Sequence, residues 1–168
     1  MQQELINKYG KEVIQNFWIF IEELKFDSKK EDASTVRSKI LKKISPHLAD
    51  KYKEICDELA FSLYRDVFYD KKNIYLYASF EAVCKGKEFY ENCWIQNELI
   101  EPLVESLDQF NNFSTVLPTE DDYFYVNAPT PEDVLNEFDE YDEYLESIGN
   151  KKGNKKKNKS GLSDDSFE

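Results

Sequence analysis

The side chains able to do covalent or metal chemistry are few and poorly grouped. His47 is the only histidine, which removes multi-histidine metal sites and histidine relays. It follows Ser45-Pro46 in what reads as a first helical turn, where the positive helix end disfavours an imidazolium. No thiol is brought beside it by spacing, so it reads as a surface or capping residue. Cys56, Cys84 and Cys93 form an odd set. Cys84 and Cys93 lack the CxxC spacing of a zinc site, and all three are expected to be reduced, partly buried thiols. The five glycines are scattered, with neither GxGxxG nor GxxxxGK[ST], so no loop is built to cradle phosphate. The sequence calls for no cofactor and no catalytic residue.

Carboxylates are the other chemical resource. Glu120-Asp121-Asp122 offers hard oxygen ligands, but a calcium loop needs alternating ligands and a turn glycine. The run EDDYFYVN has neither; it reads as a solvated loop, and no metal is expected. More distinctive is the distribution of charge. Residues 119–150 carry eleven acids and no lysine or arginine, whereas residues 1–118 hold 20 acids and 16 bases. The next ten residues contain six lysines, and the chain as a whole carries −12. An acidic surface disfavours direct binding to nucleic acid or to an anionic membrane, because phosphates must be neutralised by Lys or Arg. It suits a basic protein partner, whose encounter it accelerates.

These residues need elements to hold them. With 40% hydrophobic and 15% aromatic residues, the chain can bury a core without disulfide or metal. Helical spacing runs through Leu5, Tyr9, Val13, Phe17, Ile21 and Leu24, with Gly10 marking a break or a late start. Residues 25–34 read as a loop, and Ser34 or Thr35 is the expected cap of a second helix through Val36, Ile40 and Ile44. Ser45 as N-cap and Pro46 at the first position open a helix to about residue 68. Residues 73–80, NIYLYASF, fit both a helix ending near Gly86 and a strand. The helix is favoured; the alternative is an α+β fold with a hairpin at about 59–81. Between Glu88 and Phe110 the helical stripe returns, and Pro102 is expected to split it near Glu101. Residues 111–131 read as a loop with a short extended piece at Tyr123–Val126.

Thr130-Pro131-Glu132-Asp133 then opens a last helix with apolar positions Val134, Phe138, Tyr141, Leu145 and Ile148. Its polar face would carry Asp139, Glu140, Glu143 and Glu146, whose mutual repulsion opposes the helix by roughly 0.2–0.5 kcal/mol per i, i+4 pair. The expected fold is therefore all-α: an irregular bundle of five or six helices over residues 1–149, then a disordered tail from residue 150, lysine-rich and then acidic. No apolar run reaches the ~20 residues of a membrane span, and no apolar signal core opens the chain, so a cytoplasmic location is expected.

Three segments resemble a known family. Phe17-Trp18-Ile19-Phe20-Ile21-Glu22 is similar to the FWxLIE opening of an uncharacterised bacterial family, the domain of unknown function 4240. Leu76-Tyr77-Ala78-Ser79-Phe80-Glu81-Ala82-Val83-Cys84-Lys85-Gly86 resembles its LWxAAxxIxxG, and Phe89-Tyr90-Glu91-Asn92-Cys93-Trp94-Ile95 its FxxFRxWLI. The likeness covers about residues 17–100. It departs where Lys87-Glu88 replaces an acidic SDD and Asn92 replaces arginine. It implies an all-helical domain and brings no activity with it.

The functional expectation is a small, acidic, non-enzymatic protein that binds or inhibits a basic protein; a toxin-immunity protein is one concrete form. Its candidate contact residues are Asp139, Glu140, Glu143 and Glu146, with Glu120, Asp121 and Asp122. Two alternatives are a DNA mimic occupying a nucleic-acid-binding site and an enzyme of unrecognised class. The second would need a pocket holding two carboxylates of raised pKa. Dense tyrosines at Tyr64, Tyr69, Tyr75 and Tyr77 suggest an exposed aromatic patch. The oligomeric state is left open.

Overall fold

The computed structural model describes residues 2–127, and no strand occurs among them. Eight α-helices follow in order: α1 (Gln2–Tyr9), α2 (Lys11–Leu24), α3 (Ala33–Leu41), α4 (Pro46–Val67), α5 (Ile74–Cys84), α6 (Lys87–Ile95), α7 (Glu101–Ser106) and α8 (Glu120–Asn127). Two 3₁₀ turns, Asn97–Ile100 and Phe113–Thr115, fall before and after α7. The all-α expectation holds. The helix expected from Thr130 and the tail from residue 150 lie outside the described residues.

Breaks between helices have local causes. Gly10 has φ +91°, a conformation that costs glycine little and other residues much, and it divides α1 from α2. Asp32, not Ser34 or Thr35, caps α3: its Oδ2 accepts the Thr35 N–H at 3.0 Å. Ser34 and Thr35 lie one turn inside the helix, and their hydroxyls donate back to the same carboxylate. Ser45 and Pro46 open α4 as expected, with Ser45 Oγ accepting the Leu48 N–H at 3.3 Å.

Both halves of the alternative hairpin are helical. In α4 the buried positions Tyr52, Ile55, Cys56, Leu59, Ala60 and Leu63 recur at helical steps. Phe61, which interrupts that stripe in sequence, stands 50% exposed and off the core. In α5 nearly every side is covered: Ala78, Ser79, Phe80, Ala82, Val83 and Cys84 are all buried. A helix enclosed on most sides loses its single apolar face, and that is why 73–80 fits a strand pattern equally well. The two helices run antiparallel, with Phe61 against Phe80 (ring centroids 6.0 Å) and Phe68 against Tyr75 (5.5 Å).

Two expectations are corrected further on. The stripe after Glu88 breaks at Gln96, where φ −121° and ψ 80° leave the helical region, not near Glu101. Pro102 sits in the first turn of α7, where its missing N–H has no helical partner to lose. The extended piece expected at Tyr123–Val126 is part of α8. There Asp122 Oδ2 accepts the Thr119 N–H at 2.7 Å, closing half of a capping box. Asp50 of α4 accepts the Glu120 N–H at 2.7 Å, and the Tyr123 hydroxyl donates to the Ile44 carbonyl at 2.7 Å. Long-range hydrogen bonds thus hold a helix that local pattern alone does not announce.

The core lies between α2, α4, α5 and α6. Phe17 and Ile21 of α2 meet Tyr52, Ile55 and Leu59 of α4 and Tyr90 and Cys93 of α6, all buried. Tyr90 buries its ring and donates its hydroxyl to the Leu59 carbonyl at 2.8 Å. Its ring packs between Trp18 (5.8 Å) and Trp94 (6.3 Å).

Candidate functional site

The described acids divide by exposure. Lys87 is the last basic residue before Lys151, so residues 88–127 hold nine carboxylates and no counter-charge of their own. Glu88, Glu98, Glu101, Glu105, Asp108, Glu120 and Asp121 are exposed. The fold gives some of them local work. Glu101 accepts the Tyr75 hydroxyl at 2.9 Å, and Asp108 Oδ1 accepts the Phe110 and Asn111 N–H groups. Among the expected contact residues, Glu120, Asp121 and Asp122 form the first turn of α8, where acids are favoured by the helix dipole. Asp122 is engaged as a cap, which leaves Glu120 and Asp121 free toward solvent at their side chains. Asp139, Glu140, Glu143 and Glu146 lie outside the described residues.

Large exposed apolar side chains lie within this acidic stretch. Ile95, at the end of α6, is 82% exposed, and Phe110, after α7, is 92% exposed. The tyrosine group expected as a patch is mixed. Tyr69 is 75% exposed and Tyr77 is exposed as well, whereas Tyr64 and Tyr75 are half-buried. The Tyr64 hydroxyl donates to the Lys71 carbonyl at 3.1 Å.

Three loops and helices converge on one carboxylate that the acid count passes over. Glu81 of α5 is half-buried, and its Oε1 accepts the Phe113 N–H at 2.7 Å. Burial raises its pKa, partly offset by the Phe113 N–H and by the nearby Lys85. A cavity of about 180 Å³ opens beside it, lined by Phe26, Leu103 and Leu107 and also by Ser28, Ser106, Lys29 and Lys85. Asn111 fixes the loop on one side. Its Nδ2 donates to the Ser28 and Glu31 carbonyls (2.7 and 2.9 Å), and its Oδ1 accepts the Ala33 N–H (2.6 Å). Asp27 borders the same cavity, but its carboxyl is held below the usual range by the Lys29 N–H and Lys30. The two carboxylates are therefore pushed in opposite directions.

Sequence reading missed Glu81 and Asn111. The one visible signal was a carboxylate inside the apolar run YASFEAVC, a place where an acid needs a partner.

The thiols match the structural expectation. Cys56, Cys84 and Cys93 are buried and unpaired as disulfides. Burial raises the pKa of Cys56 and Cys84, and pushes that of Cys93 up to about 11. A thiol held protonated is a poor nucleophile. His47 is exposed in the first turn of α4. No group of three or more metal-ligating side chains occurs among the described residues, and no described helix is long and apolar enough to cross a membrane.

Comparison with known proteins gives no match: no family model, no curated protein and no solved structure is similar to the chain.

Proposed function

We propose that this protein is a non-enzymatic binding protein for a basic partner protein. The observation that carries the proposal is the stretch from Glu88 to Asp122, acidic without a single base and containing the exposed Ile95 and Phe110. Exposed apolar anchors beside a field of one sign suit a protein interface: the anchors supply contact area and the field supplies rapid, selective encounter. A surface of this sign also repels nucleic acid. An immunity protein that neutralises a basic toxin is the concrete form of this proposal. The acids of residues 130–149 would extend the same sign of charge.

A DNA mimic fits less well, because it needs phosphate-like spacing over an extended surface. The exposed acids of the 3₁₀ turn and α7 lie within ten residues, 97–106, about 15–20 Å of helix.

The test is affinity measurement between the full chain and its captured basic partner at low and high salt. The double reversal Glu98→Lys, Glu105→Lys is expected to weaken binding at least about tenfold and to flatten its salt dependence. Ala substitution at Phe110 is expected to speed dissociation while leaving the salt dependence intact. Unchanged affinity in both variants would sink the proposal.

A further inference from the structure

Phe110 is the least buried large apolar side chain among the described residues. Glu105 and Asp108 precede it closely, and no ion pair among the described residues neutralises either. The same chain offers a receptacle for such an anchor. Between α2 and α3 lies a groove of about 400 Å³ with an apolar floor of Phe20, Leu24, Val36, Ile40 and Ile44. Its rim is split by sign. Glu23 near the end of α2 and Glu31 in the loop beyond it line one side, and Glu31 already meets Lys39 at 3.4 Å. Lys43 lines the α3 side; it and its neighbour Lys42 are exposed and have no ion pair among the described residues. No acid occurs from Ala33 to Ala49. Anchor and groove lie side by side, because Asn111, the residue after Phe110, donates to the Glu31 carbonyl and accepts the Ala33 N–H. Yet the exposure of Phe110 shows that it does not fill the groove of its own chain.

We infer that two copies of this chain form a two-fold dimer in which Phe110 of each enters the α2–α3 groove of the other, with Glu105 and Asp108 against Lys42 and Lys43. An anchor and its receptacle on one face suit an isologous contact, since a single rotation makes both contacts at once. The apolar floor supplies contact area, and the flanking charges decide which rim the acids face. In using Phe110 and Glu105 the dimer rests on the contact surface proposed above, and it names what covers that surface until a basic partner displaces it.

Sedimentation equilibrium of the full chain alone, at low salt and up to about 0.5 mM protein, is expected to show twice the monomer mass, and added salt to shift the balance toward monomer. Phe110→Ala is expected to weaken the dimer at least about tenfold. The double reversal Lys42→Glu, Lys43→Glu and the single reversal Glu105→Lys are each expected to weaken it by a similar factor, about tenfold. All four positions are exposed, so these variants keep the fold. Mixing the two charge variants is expected to restore association, because in the mixed pair both contacts again join opposite signs. A monomer at every concentration would overturn the dimer and leave the basic-partner reading standing. Mass that grows beyond two copies, or a dimer indifferent to Phe110→Ala and to both reversals, would equally overturn it.

Discussion

The α4–α5 pair and the stretch from Leu107 to Tyr123 are held by different physics. The helix pair is secured by burial: Ile55, Leu59 and Leu63 face Ala78, Ala82 and Val83, all almost completely withdrawn from water. The later stretch contributes Phe113, Val116 and Leu117 to the core, but its path is set by polar side chains. Asn111 ties it to the loop before α3, Asn112 folds it on itself, and Asp50 and Tyr123 anchor the helix that follows. Apolar contact fixes which helices meet; directional hydrogen bonds fix where an irregular chain runs between them.

The largest effect should come from the helix pair. Leu63→Ala is expected to cost about 2–5 kcal/mol in chemical denaturation, the range for truncating a fully buried leucine. Asn111→Ala removes three hydrogen bonds and is expected to cost about 2–3 kcal/mol. It should also speed exchange of the Ala33 amide while leaving the α4 amides protected by comparison. Equal loss of protection in both places would erase the distinction between the regions.

That distinction also explains what was legible in the sequence. The stripes of α2 and α4 announce themselves because one face is buried and the other wet. So do the Ser45 cap and the Gly10 break, since each rests on neighbours within a turn. The enclosure of α5 erased its period, and the Asp32 cap was hidden by two better-placed hydroxyl residues. Helix α8 depends on Asp50 and Ile44, some seventy-five residues earlier in the chain, and no local pattern carries that dependence. Of the candidate site, the charge imbalance was visible in full, but Glu81 gained its setting only from the loop 26–32 and Phe113. A carboxylate in an apolar run was a signal; its surroundings were not.

Smaller effects refine the contrast. Ser45→Ala should destabilise α4 by about 1 kcal/mol, the usual cost of a lost N-cap. Glu81 should show itself through pH. Its folded pKa lies above its unfolded value near 4.3, so the folded state holds the proton more tightly. Its contribution is therefore most favourable below the unfolded pKa and is lost as pH rises through the folded one. Glu81→Gln, which keeps an acceptor for Phe113 without the charge, should gain stability relative to the parent as pH climbs from 4 toward 7, read from paired urea curves. A difference independent of pH would show that burial does not perturb this group. Smallest of all, Glu105→Lys should stabilise α7 by a few tenths of a kcal/mol by relieving its i, i+4 repulsion with Glu101, even as it weakens a basic partner. Stability and recognition would then move in opposite directions at one exposed position.

Both tryptophans of the chain touch the same tyrosine, Trp18 from α2 and Trp94 from α6. Intrinsic emission therefore watches a single seam of the molecule. Separation of those two helices would change the ultraviolet fluorescence without any label, whereas rearrangement around Glu81 would leave that signal dark.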